Sequence, residues 1–167
     1  MFGNQGLTAA KFDTNIRALR GTVMGLPVSN PSTESDFFVG LPTAFNAAPS
    51  GVLAQDVVEP GYPLTSELWL DPSTSNPVNG SAPPAPFVAQ GRAWGLIVFA
   101  PEAEAIAADT TIQAEDDVVI ADAYGRVTSI RNVTAGNIAN VVGKAKYAAT
   151  AVNQRIRIQV NLRQVKV

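Results

Sequence analysis

Four acidic residues fall close together, Glu115-Asp116-Asp117 and then Asp122. Grouped carboxylates are the ligands of hard cations. A calcium loop also needs oxygen ligands at tight alternating spacing and a turn glycine. Here Val118, Val119, Ile120 and Ala121 separate the acids and the glycine is missing, so the group reads as the solvated entrance to a strand. Gly143-Lys144 has the form of the end of a phosphate-binding loop. Ile138 stands where that loop needs its first glycine, and Ala145 where it needs Ser or Thr. The chain has neither His nor Cys. That excludes a Ser-His-Asp triad, an imidazole base, a thiolate nucleophile and thiolate or imidazole zinc sites. No carboxylate pair stands out as a general acid and base. The reading is therefore non-enzymatic, with no cofactor and no catalytic or metal residues, and the chemistry to look for is that of surfaces.

The basic residues give the first such surface. Residues 92–122 hold one basic residue and seven acidic ones, and residues 123–167 hold eight basic residues and no acidic one. If the two stretches pair within one domain they neutralise each other; otherwise the C-terminal part presents a basic face. Arg155, Arg157 and Arg163 alternate with Ile156, Ile158, Val160 and Leu162 and so share one side of a strand. Single-strand nucleic-acid binders join such a face to stacking aromatics. Only Tyr124 and Tyr147 follow Phe99, which leaves a nucleic-acid-binding β-barrel as the alternative rather than the main reading.

Apolar anchors give the second surface. Phe12, Ile16, Leu19 and Val23 recur with the spacing of one face of a short helix, on an N-terminal arm of residues 1–25. Trp69 falls on the wetter side of an alternating segment, residues 64–70, and a surface Trp is a common interface anchor. The candidate partner-binding residues are thus Phe12, Ile16, Leu19, Trp69, Arg155, Arg157 and Arg163.

The elements that position these residues follow from the punctuation. All 12 prolines lie from Pro27 to Pro101, and ten of the 13 glycines precede residue 101. Proline cannot donate to a sheet ladder, so the first hundred residues predict short strands and extended segments. The expected organisation is an arm (1–25), a β-rich part (26–70), a Pro/Ser/Asn-rich loop or linker (71–91) and a C-terminal β domain (92–167). In the last, Trp94 to Ala100 reads as a buried strand, and Pro101 predicts a brief helical turn through Ala108. Residues 117–122 and 127–130 form two strands around a turn at Ala123-Tyr124-Gly125-Arg126. Residues 141–147 form another, with Val141, Ala145 and Tyr147 inward. A final strand over 155–167 shows a slip of phase at Arg163-Gln164, which predicts a bulge. The fold class is mainly β: a small β-sandwich or barrel with an extended N-terminal arm and long Pro/Gly-rich loops.

Charged residues are 16% of the chain and the net charge is −2, against roughly 25% charged in ordinary soluble domains. Low charge suits a surface covered by a partner. No apolar run approaches the length that spans a bilayer, and the N-terminus lacks a signal-peptide pattern. No membrane partner and an origin in the cytoplasm are expected.

Gly125-Arg126-Val127, Val141-Val142-Gly143-Lys144-Ala145 and Ile156-Arg157-Ile158-Gln159-Val160-Asn161-Leu162 together resemble the structural cement and decoration proteins of tailed bacteriophages. The Ala/Pro/Ser/Gly-rich passage from Ala47 to Leu53 is similar in style. The resemblance covers about 45 residues of the tail, and the pattern departs from it after Leu162. It implies a virion protein on the outer capsid surface, made in the host cytoplasm. Such a protein binds the major capsid protein at seams between capsomers, as a homo-oligomer and often a trimer, and stabilises the shell. On this reading the arm serves attachment, and its removal is expected to weaken binding more than folding.

Overall fold

The structure, a computed structural model, describes residues 6–12, 18–26, 38–57 and 93–167. They form nine strands: β1 (Gly6–Phe12), β2 (Val23–Gly25), β3 (Phe38–Val39), β4 (Pro49–Leu53), β5 (Ala93–Ile106), β6 (Asp117–Ile120), β7 (Val127–Ser129), β8 (Ile138–Ala145) and β9 (Arg155–Lys166). Among the described residues the only helical piece is a 3-10 turn, Ile130–Asn132. All strands belong to one sheet in the order β2-β4-β5-β9-β8-β6-β7, with β1 on β5 and β3 on β1.

The long strand β5 carries the architecture. Its first half pairs antiparallel with β1 from Ala93 to Phe99, and with β4 at Leu96 and Ile97. Its second half pairs antiparallel with β9 from Phe99 to Ile106. Each half lies in a ring that nearly closes. On the N-terminal side β4 leads to β2, a bridge from Gly25 to Gly40 leads to β3, and β3 returns through β1 to β5. On the C-terminal side β9, β8, β6 and β7 follow, and Val127 bridges back to Ala107, next after β5. The mainly β, barrel-like class is therefore what the chain adopts.

Each ring encloses its own core. Phe12, Met24, Val39, Leu53 and Leu96 fill the first. Ile112, Ile120, Val142, Ile156, Ile158 and Val160 fill the second. Val119, Val133, Ala139 and Val141, with Ile130 and Val165, form a third cluster. Strand β6 is thus buried on both sides, which is why it reads as an unbroken apolar run.

Among the described residues the register shifts at five places, and two of them bear on β9. On β5 the register shifts between Ala100 and Ala103, where Pro101 and Glu102 lie. A bulge residue is left out of the ladder, so the N–H that proline lacks is not missed there. The helical turn predicted from Pro101 is accordingly replaced by bulged strand running to Ile106. The second bulge lies between Val141 and Gly143 of β8, opposite Val160 to Arg163 of β9. It produces the predicted phase slip one to two residues early, and it moves Val165 from the main core to the third cluster. A Cβ on Gly143 would sit 2.1 Å from the backbone oxygen of Gln159, so only glycine permits this approach.

The first 25 residues differ from their helical expectation where they are described. Residues 6–12 are strand β1, and Phe12, Leu19, Val23 and Met24 are buried. Their spacing reflects separate insertions into a core rather than a helix face. Tyr147, expected inward, is 66% exposed because β8 ends at Ala145. The alternating segment 64–70 and the loop 71–91 lie outside the described residues.

Two stability tests follow. Ile158 is fully buried and faces Ala103 and Ala145, so Ile158→Asp places a charge without a partner in the main core. The variant is expected to lose its cooperative thermal transition; a soluble variant with native circular dichroism would refute the β9 assignment. Deleting residues 1–25 removes β1, β2 and four large core side chains, Phe12, Leu19, Val23 and Met24. It is now expected to abolish folding, read by the same spectrum, rather than merely to weaken attachment.

Candidate functional site

The acidic and basic halves of the C-terminal sequence meet in the fold. Strands β5 and β9 run antiparallel with Glu104 opposite Arg157 and Ile106 opposite Arg155. The ion pairs are diagonal. Arg155 Nη1 lies 3.2 Å from Glu104 Oε2, and Arg157 pairs with Glu102. Arg20 Nε donates to the same Glu104 oxygen at 2.9 Å, and the Arg20 backbone N–H donates to Asp56 Oδ1 at 2.7 Å. Asp117 receives Arg163, Asp116 receives Arg131 at 2.6 Å, and Asp122 receives Arg126 at 2.6 Å. Lys144 reaches Glu115 at 4.0 Å. Hydrogen bonding to Glu102, with its charge, holds the Arg157 guanidinium above its ordinary range.

This pairing decides between two surfaces. The candidate basic residues Arg155, Arg157 and Arg163 are on one strand as predicted, but each is matched by a carboxylate. A phosphate would have to compete for them. The same pairing disperses the acidic group. Glu115, Asp116, Asp117 and Asp122 each turn to a different cation, and among the described residues no group of three potential ligands is placed to hold a metal.

Two carboxylates sit in built polar nests. Asp116, 8% exposed, accepts from Ser129 Oγ at 2.9 Å and from the Gln113 N–H at 3.0 Å, besides Arg131. Asp109 accepts from the Thr111 N–H at 2.9 Å, from Thr111 Oγ1 at 2.6 Å and from Thr128 Oγ1 at 2.6 Å. Partial burial pushes the Asp109 carboxyl up, yet these hydrogen bonds together hold it below its ordinary value. Both nests tie loops to β7, through Ser129 and Thr128.

Of the apolar candidates, Phe12 stacks on Trp94 at 6.0 Å between ring centroids, and Leu19 is buried. Neither can touch a partner without opening the core. Ile16 and Trp69 lie outside the described residues.

Other residues take the surface roles. Leu7 and Phe99 are 60% and 46% exposed, and both flank Ile97 on the outer side of β1 and β5. Phe99 was hidden in an all-apolar run whose alternation carries no signal. Leu26, Phe45 and Ile138 are also exposed. Beside Phe45, Asn46 adopts φ 56°, a left-handed conformation that Asn tolerates. Its N–H donates to Ile120 O at 2.8 Å and its amide to Ile138 O at 2.8 Å. Its side-chain oxygen accepts from the Asn140 N–H at 2.7 Å. One residue thus fastens the β3–β4 loop to β8. An open cleft of about 370 Å³ lies over Ile97 and Ala103, rimmed by Arg20, Glu102, Glu104 and Arg157, all four of them already paired.

No family model matches the chain, and none of the curated proteins matches it. Among solved structures, the chain is similar to the head fiber gp8.5 N base in bacteriophage phi29. The TM-score is 0.52 at 11% identity, over 95% of each chain. At that identity the likeness is one of fold.

The Asp109 nest makes a pH prediction. A depressed carboxyl contributes its full stability above the ordinary value of 3.8 and loses it as pH falls through the lowered value in the folded state. Wild type is therefore expected to lose stability below pH 3.8 more steeply than Asp109→Asn, in urea titrations at stepped pH. Parallel slopes would show that the nest does not hold the charge.

Proposed function

We propose that this chain is a structural protein of a tailed-phage virion. It sits on the outer capsid surface, bound to the major capsid protein at seams between capsomers, and stabilises the shell. The observation that carries this reading is the fold shared over nearly the whole of both chains with a phage head-fibre base. Fold alone does not assign function, and two features of the chain itself support the same role. The arginines of β9 are paired within the chain, while Leu7, Phe99, Phe45 and Ile138 stay exposed for a partner. The tail sequence resembles capsid cement proteins independently of the fold.

The physics of the role is mass action. A protein that binds assembled subunits and not free ones stabilises the assembly by about 2.7 kcal/mol per site at a hundredfold excess over Kd. A homotrimer around a local threefold position would multiply the contacts that must break before subunits separate.

The test is binding of the purified chain to DNA-free shells of the phage that encodes it, followed by sedimentation and by calorimetry of the shell. Binding is expected to raise the temperature of shell disruption. It is also expected to change little between ~50 and ~200 mM salt, where phosphate-driven binding falls by orders of magnitude. The nucleic-acid alternative predicts the reverse: no shell binding, and salt-sensitive retention of single-stranded DNA that Arg155→Ala with Arg157→Ala removes.

A further inference from the structure

Where β6 and β8 separate, a residue from the first half of the chain fills the gap. Their ladder runs from Asp117 opposite Lys144 to Val119 opposite Val141. The next rung would join Ile120 to Asn140. Alternate residues of a strand turn their N–H and C=O to opposite edges. The Ala121 N–H donates to Arg126 O across the β6–β7 turn, and the Val167 N–H donates from β9 to Asn137 O. Ile120 therefore faces β8, and Asn140 faces β6. Asn46 of the β3–β4 loop stands between them. The Ile120 carbonyl accepts from the Asn46 N–H at 2.8 Å, and the Asn140 N–H donates to Asn46 Oδ1 at 2.7 Å. The Asn46 amide also donates to Ile138 O at 2.8 Å, and Asn140 Nδ2 donates to Asn46 O at 2.7 Å.

We infer that the β3–β4 loop is a latch with two hydrogen-bonded states. In the closed state Asn46 is wedged into the β6–β8 seam. In the open state the loop has lifted, and the Asn140 N–H donates directly to the Ile120 carbonyl. The two groups that Asn46 separates are the donor and the acceptor of one rung, so each satisfies the other when Asn46 leaves. A buried polar group left without a partner is the usual barrier to such a withdrawal, and this seam leaves none. Ile138 is exposed, and Asn46 and Asn140 are half-buried, so water takes the remaining groups. Opening also relieves the left-handed backbone of Asn46, at φ 56°. Against it stands Ala47, which packs half-buried on the second core and makes the closed state the stable one. Thr43, Ala44 and Phe45 are exposed, so the tip of the loop adds little to that hold. The latch follows from hydrogen bonding inside the fold and holds whatever the chain binds.

The test is amide hydrogen exchange of the full-length chain, followed residue by residue by NMR at rising urea below the unfolding transition. The Asn46 N–H is expected to exchange through a local opening that urea hardly changes. Its rate is expected to exceed that of the Asn140 N–H by roughly tenfold or more, because the Ile120 carbonyl holds the Asn140 proton in the open state. If Asn46 and Asn140 exchange together, no second rung forms and the latch is overturned. It is overturned equally if Asn46 exchanges only through global unfolding. Asn46→Gly keeps the left-handed backbone and removes the side-chain wedge. This variant is expected to retain the native circular dichroism spectrum, with Asn140 protected to within roughly tenfold of wild type. Loss of that protection in the folded variant would show that Ile120 and Asn140 do not join. Should Asn46→Gly not fold, the wild-type comparison decides alone.

Discussion

Everything in this molecule depends on β5 serving two rings at once. A strand of 14 residues is long for a domain of this size, since strands commonly run to about six. Its length is required because the first half is a stave of one small barrel and the second half a stave of the other. A straight strand cannot do both without exposing one core. The bulge at Pro101-Glu102 supplies the change of direction, and Gly143 supplies the matching bend on β8. The two cores are separate clusters, and Val23 of β2 and Val52 of β4 join the second from strands of the first ring. The turn at Gly125 adds a direct tie between the halves: its carbonyl accepts from the Val23 N–H at 2.8 Å.

The same geometry explains the charge pattern. Acids concentrated before residue 122 and bases after it would be costly in a fold that kept the two stretches apart. The ring β5-β9-β8-β6-β7 makes them neighbours, and six of the seven acids between residues 102 and 122 find a cation. Exposed pairs of this kind contribute little stability, about 0–1 kcal/mol apiece. Their larger effect is on register. A slip of one residue between β5 and β9 would move Ile156, Ile158 and Val160 to the outside and set the arginines into the core.

How much of this was legible follows the same division. Strand β9 could be read because its two faces differ in chemistry, and β6 and β7 because Gly125 marks the turn between them. The phase slip near Arg163 was visible as a change of parity, since a bulge must reverse the faces. The first 25 residues were misread because separate core insertions at Phe12, Leu19 and Val23 mimic helical spacing. Pro101 was misread because proline at a helix start and proline in a bulge satisfy the same missing N–H. The surface residues were the hardest. Phe99 has no polar neighbour to mark its face, and the bonding of Asn46 to β8 depends on residues 92 to 94 positions away in sequence.

The charge pairing bears directly on the nucleic-acid alternative. A nucleic-acid binder keeps its cations available, because release of counterions from phosphate drives its affinity. Here the arginines of β9 are held by partners that the chain itself provides, so the field they could project is cancelled at short range. What stays exposed among the described residues includes apolar side chains: Leu7 and Phe99 on the outer side of β1 and β5, and Phe45 and Ile138. A sheet whose arginines are already paired with carboxylates of the same chain offers a phosphate backbone little free charge to bind.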